Sequence, residues 1–153
     1  MDALSLTQPW ASLMGLDKKR IETRDWRMPS RVLGKMLAIH ASKGFPKDCR
    51  ELVNDEPFLT ALGRIGYHEL PVGAIVGFGI PVECKRTEDW LGAISEVEEA
   101  FGNYGPERFG TRFENLFLLP KPIPAVGALG IWRIEETRNP GVEEQIISHL
   151  ERL

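Results

Sequence analysis

Ala3-Leu-Ser-Leu-Thr-Gln-Pro-Trp-Ala-Ser-Leu-Met-Gly-Leu16 reads as a strand that gives way to a helix within three residues. Ala3 to Leu6 alternates small or apolar with polar side chains, the two-residue period of a strand with one face on a core. Thr7 carries an N-cap side chain, and Pro9 suits the first helical turn that follows. Trp10, Leu13, Met14 and Leu16 then fall along one helical face. Gly15 and Asp17 supply the residue types that end a helix.

Outward from this unit, Arg20 to Trp26 reads as a second strand, with Glu22 and Arg24 on one face and Ile21 and Thr23 on the other. Lys35 to Ala41 is a third strand, with Leu37, Ile39 and Ala41 on one face. Residues 47–52 and 57–62 read as short helices. A long apolar strand runs from Ala74 to about Cys84, and Gly77 and Gly79 within it signal bending or a close backbone approach. Thr87 is placed to cap a short helix holding Trp90 and Leu91. The segment from Gly92 to Thr111 is glycine-rich and charged, with helical potential over 96–101. Phe113 to Leu119 and Gly130 to Glu135 complete the strands, separated by a stiff loop holding Pro120, Pro122 and Pro124. Asn139-Pro140 caps a C-terminal helix in which Val142, Ile146, Ile147 and Leu150 recur at helical spacing. Five or six short strands with helices between them predict an α+β, mainly β fold. Its mixed, largely antiparallel sheet is expected to close toward a small barrel.

A chain of 153 residues suits one domain, here 1–153 with 136–153 as a C-terminal helical extension. At this size about two-thirds of the unfolded surface can be buried, so neither disulfide nor metal is required. Two cysteines, Cys49 and Cys84, make no zinc pattern and no disulfide framework. The N-terminus lacks the marks of a secretory signal, and no apolar run is long enough to span a bilayer. The expected location is the cytoplasm. The net charge of −3 argues against a general DNA-coating protein. Its distribution is uneven. Residues 18–50 hold ten Lys or Arg against three acids, a local +7. Such a segment either attracts an anionic ligand or forms an ordinary solvated surface.

The chemistry concentrates in Asp17-Lys-Lys-Arg-Ile-Glu-Thr-Arg-Asp-Trp26. Lys19, Glu22 and Arg24 in one cleft are suited to a base edge and a phosphate. Arg bonds phosphate bidentately, and Glu accepts from an exocyclic amine. Glu22 would also serve as a general base if burial raised its pKa. The opposing reading is a Glu22–Arg24 ion pair that only neutralises itself. Gln8 offers a donor and an acceptor to a base, and Trp10 and Trp26 offer flat faces for stacking, although Trp10 also fits a helical core position. His40 is either a proton shuttle or a structural histidine. No metal-ligand spacing, phosphate loop or dinucleotide fingerprint is present, so no cofactor is expected.

The motifs Leu4–Leu13, Lys19–Trp26 and Leu37–Lys43 together resemble the ASCH domain. So do the later runs Phe101–Phe109, Glu114-Asn115 and Pro122–Trp132, in order over residues 3 to 135. The family signature places a Gly two residues before a Lys, a Glu three after it, and an Arg two after the Glu. Lys19, Glu22 and Arg24 match it, while Asp17 stands at the Gly position. Asp tolerates left-handed backbone better than most residues, so the turn can survive; Gly15 with a shifted turn is the other way to build it. The resemblance implies a PUA-like barrel and a cleft lined by Lys19, Glu22 and Arg24. It also implies an RNA or single-stranded nucleic-acid partner, or a modified nucleoside or nucleotide, and no membrane. Family members include ribonuclease-like proteins, amidohydrolases on acetylated cytidine, and domains that only bind nucleic acid.

Three functions follow as expectations. The first is a metal-independent hydrolase on RNA, with Glu22 as base, Lys19 and Arg24 on phosphate, and Tyr104 or Arg108 closing the site from the glycine-rich loop. His40 and Lys43 fall on its substrate-binding side. The second is a non-catalytic reader using Gln8, Trp26 and Arg24. The third is a protein-interaction module with a vestigial cleft. The amidohydrolase type carries a nucleophilic Thr where this chain has Glu22, which weakens that alternative.

Overall fold

The computed structural model describes residues 1–153. Its centre is a six-stranded sheet built from β1 (Asp2–Leu6), β2 (Ile21–Arg24), β3 (Leu37–Ala41), β4 (Ala74–Arg86), β5 (Phe109–Pro124) and β6 (Ile131–Arg133). The strand order is β2-β5-β4-β3-β1-β6. β1 and β3 pair in parallel, Leu4 opposite Ile39, while every other pairing is antiparallel. The sheet curls into a half-barrel, and β2 and β6 remain its two edges, so the expected closure is only partial.

Strand alternation sorts the side chains into two cores. Leu4, Leu6, Leu37, Ile39, Val76 and Phe113 point to one face, where the helix α1 (Trp10–Gly15) adds Ala11 and Met14. Ala3, Ala38, Ile75, Phe78 and Leu119 point to the other, which α6 (Val142–Leu150) covers with Val142 and Ile146. β3 is therefore buried on both faces. A third cluster, Leu13, Val53, Phe58, Leu62, Leu70 and Phe101, lies among α1, α2 (Lys47–Leu52), α3 (Phe58–Ala61) and the chain that follows α5 (Glu96–Ala100). The short helix α4 (Thr87–Trp90) follows directly on β4.

The largest departure from the sequence reading is the β4–β5 ribbon, 13 and 16 residues long. Its register shifts at Ile75/Gly77, Phe78/Ile80 and Pro81/Glu83. Each shift adds twist and breaks the alternation by which a strand is recognised. Gly77 is required there, because a Cβ would sit 2.3 Å from the Phe117 carbonyl oxygen. β2 ends at Arg24, two residues short of expectation. Thr7 and Thr87 do not cap helices, and the Thr87 hydroxyl instead donates to the Gly105 carbonyl at 2.8 Å. Asn139 does not cap α6 either. It grips Val126 through both backbone groups, at 2.7 and 2.9 Å, and so pins the loop after β5.

Asp17 takes the left-handed conformation, with φ of 59°. The turn that the signature builds on Gly is thus kept on Asp, and the Lys18 and Lys19 amides return to the Leu13 carbonyl. Gly15 has a packing role, since a Cβ there would meet Leu118 at 2.5 Å.

Candidate functional site

The α1–β2 turn delivers Lys19, Glu22 and Arg24 to one place. Lys19 is 1% exposed, and its ammonium donates to the Ile21 carbonyl and lies 3.4 Å from Glu22 Oε1. Glu22, 8% exposed, accepts from Arg24 Nε at 2.8 Å through its other oxygen. Arg24 Nη2 donates to the Ser5 carbonyl at 2.7 Å, and its guanidinium lies over the Trp26 ring. The carboxylate is thus bracketed by two cations, and the guanidinium keeps further donors free for a ligand.

A cleft of about 440 Å³ opens in front of this group. Glu22, Thr23 and Arg24 form one wall, and Thr7 and Trp10 another. Ala100, Phe101, Gly102, Asn103 and Arg108 close the third side. Arg108 is fixed by bonds to the Asn103 and Thr23 carbonyls at 3.0 and 3.2 Å, and Asn103 N donates to Thr23 Oγ1 at 2.9 Å. The glycine-rich segment is therefore already docked on β2.

Several expected residues lie elsewhere. Lys19 does not line the cleft, so it acts on a ligand only through Glu22. Gln8 is fully buried and spends its amide on Ser12 Oγ, the Pro71 carbonyl and the Ser12 amide, which leaves nothing for a base. Trp10 packs edge-on against Phe58 and also lines the cleft. Trp26 gives its ring to Arg24 and packs against the core. Tyr104 lies outside the cleft, its hydroxyl buried without a protein partner. Burial, then Glu98, Glu99 and Glu22, hold its pKa far above the usual phenol range. His40 and Lys43 line a different cavity.

Glu98 was not foreseen. It accepts from the Arg20 amide at 2.7 Å, and its charge acts on Lys19. Burial raises its pKa, against the lowering effects of Arg20 and Lys19. It comes from α5, 79 positions from Lys19, and no local pattern announces it.

Half of the ten cations in residues 18–50 are paired with carboxylates. Lys19 and Arg24 pair with Glu22, Arg20 with Asp17, Arg31 with Asp2 and Lys47 with Glu51.

His40 is held as a neutral ring. Its Nε2 lies 2.9 Å from the Ala125 carbonyl, which fixes that nitrogen as the donor. Nδ1 then accepts from the Ser5 hydroxyl at 3.0 Å, and Ser5 Oγ accepts from Trp132 Nε1 at 2.8 Å. Burial lowers the His40 pKa, partly offset by Ala125. The unfolded chain therefore takes up a proton near pH 6.5 that the folded chain resists, and stability from this group falls as pH drops below that value. We expect His40→Gln to flatten the loss of stability between pH 7 and pH 5, read as the difference from wild type in urea midpoints. A loss of equal size in both proteins would remove His40 from that role.

This half-barrel is the fold of ASCH proteins. The crystal structure of ASCH from Zymomonas mobilis matches with a TM-score of 0.57 and 14% identity, over 96% of this chain and 93% of that one. Its S128A mutant gives 0.58 and 13%, over 97% and 94%. In sequence, Activating signal cointegrator 1 of Homo sapiens is 25% identical over 151 residues. The match covers 94% of this chain and 24% of that protein, so the chain spans about a quarter of the curated relative's length. No family model matches the chain. No helix is long and apolar enough to cross a membrane.

Proposed function

We propose that the cleft binds a nucleotide unit of RNA without cleaving it. The observation that carries this reading is the side-by-side presentation of the Glu22 carboxylate and the Arg24 guanidinium beside Trp10. The carboxylate accepts from a base amine, the guanidinium and Arg108 hold phosphate, and the indole supports the base. The resemblance to ASCH domains points to the same ligand class. A hydrolytic role has less support. One Glu22 oxygen accepts from Arg24 and the other lies 3.4 Å from the Lys19 ammonium, which would hold the carboxylate as a charged acceptor, and Lys19 is not on the wall that a phosphate would touch.

The test is fluorescence anisotropy of a labelled single-stranded RNA pool between about 50 and 200 mM salt, followed by mass spectrometry of the recovered RNA. Binding should weaken as salt rises, and chain lengths and nucleoside composition should stay as they were. RNA shortened by wild type but not by Glu22→Gln would replace the reader with a ribonuclease. Loss of one modified nucleoside at constant length would make the protein a base-modifying hydrolase. No binding at low salt would refute the RNA reading.

A further inference from the structure

Beyond the cleft lies a second and larger cavity, of about 930 Å³. The two are contiguous, since Ser5, Ser42 and Leu129 border both. Each falls within the range of roughly 300–1,000 Å³ that holds a small ligand. Their linings differ in charge. The first has Glu22 beside its arginines. The second has Lys43 and Arg138 and no carboxylate at all, so it favours an anion. Its remaining wall is largely apolar, with Val72, Val126 and Ala128 prominent. A cationic rim over an apolar pit suits a group with a flat apolar body and a negative charge, as a nucleotide is.

The ridge between the cavities is unusual. Leu129 belongs to the loop joining β5 and β6 and is 97% exposed, so it contributes nothing to either core. The loop beneath it is firmly held. Asn139 fixes Val126, Arg138 donates to the Gly127 carbonyl at 3.2 Å, and the Ser5 amide donates to the Gly130 carbonyl at 3.2 Å. An apolar side chain on a fixed ridge between two ligand-sized pits has the placement of a wedge, of the kind that separates successive bases.

We infer that the second cavity takes the nucleotide next to the one held at Glu22 and Arg24, with Leu129 inserted between the two bases. The ligand is then single-stranded RNA of at least two nucleotides, because only an unstacked strand offers adjacent bases to separate pits. This rests on the first cavity being a nucleotide site. The Lys43 and Arg138 charges take the second phosphate.

Calorimetric titration with the four ribonucleoside monophosphates and the four homodinucleotides tests it. The dinucleotide of the preferred base should bind about tenfold more tightly than its monophosphate, the gain of one further stacked base. Leu129→Ser should remove most of that gain without altering thermal stability, because the side chain packs on nothing. Lys43→Glu, at a residue that lines the second cavity and not the first, should weaken the dinucleotide severalfold and leave the monophosphate unchanged. Equal affinity of wild type for monophosphate and dinucleotide would overturn the second subsite while leaving the first intact. A length gain that survives in both variants would overturn it equally. Failure of every monophosphate and dinucleotide to bind would remove the nucleotide reading of the first cavity, and this inference with it.

Discussion

Glu22→Leu should destabilise the protein by about 3 kcal/mol or more, the cost of leaving one member of a buried ion pair alone. Lys19 is 1% exposed and would keep only the Ile21 carbonyl and the field of Glu98. Lys19→Met should cost less, because Glu22 retains Arg24 at 2.8 Å. The double variant should fall well short of the sum of the two, since each change removes the other's partner. Urea unfolding of the four proteins reads all of this. If Glu22→Leu stays within about 0.5 kcal/mol of wild type, as exposed substitutions do, Lys19 is not held by Glu22 in the way described.

The second large effect is on binding. Arg24→Ala should weaken single-stranded RNA binding by about ten- to a hundredfold, the range for hydrogen bonds to a charged group. It should also lower the slope of log affinity against log salt by about one. Arg24→Lys should not restore affinity. The guanidinium fork bonds Glu22 and Ser5 while still facing the cleft, and an ammonium cannot serve all three directions. Arg24→Ala also removes a partner of Glu22, so the comparison is made where circular dichroism shows every variant folded. Unchanged affinity and salt slope in folded Arg24→Ala would place the RNA elsewhere.

Much of the site's frame was legible because it depends on short-range rules. The two-residue period of β2 put Glu22 and Arg24 on one face, and they meet there. The tolerance of Asp for left-handed backbone kept the turn at Asp17. The same alternation put Leu37, Ile39 and Ala41 on one face of β3, and they share one core; the second core, under Ala3 and Ala38, was not foreseen. What the sequence hid depends on distant chain. Lys19 reads as a cation at a strand mouth, yet it is buried, with Glu98 from the distant α5 close enough for its charge to be felt. Gln8 reads as a free amide, but Pro71 comes up to take it. The basic stretch reads as a surface until Asp2 and Asp17 claim Arg31 and Arg20. The stretch with Pro120, Pro122 and Pro124 reads as a stiff loop because proline gives no ladder donor, yet it continues β5, with Pro124 opposite Ala74. His40 and Lys43 follow the motif closely in sequence, yet β3 delivers them past Ser5 to the neighbouring cavity.

The four tryptophans make the central claim directly measurable. Trp10 lines the cleft, Trp26 lies under Arg24, and Trp132 bonds Ser5. Trp90 donates to the Gly110 carbonyl at 2.9 Å beneath Lys85, away from the cleft. Their four indole signals in a nitrogen-15 NMR spectrum should be followed while a short single-stranded RNA is added. RNA seated at Glu22 and Arg24 should move the Trp10 signal most and leave Trp90 where it was. If RNA binds and Trp90 moves while Trp10 stays, or if saturating RNA moves none of the four, the cleft is not the binding site.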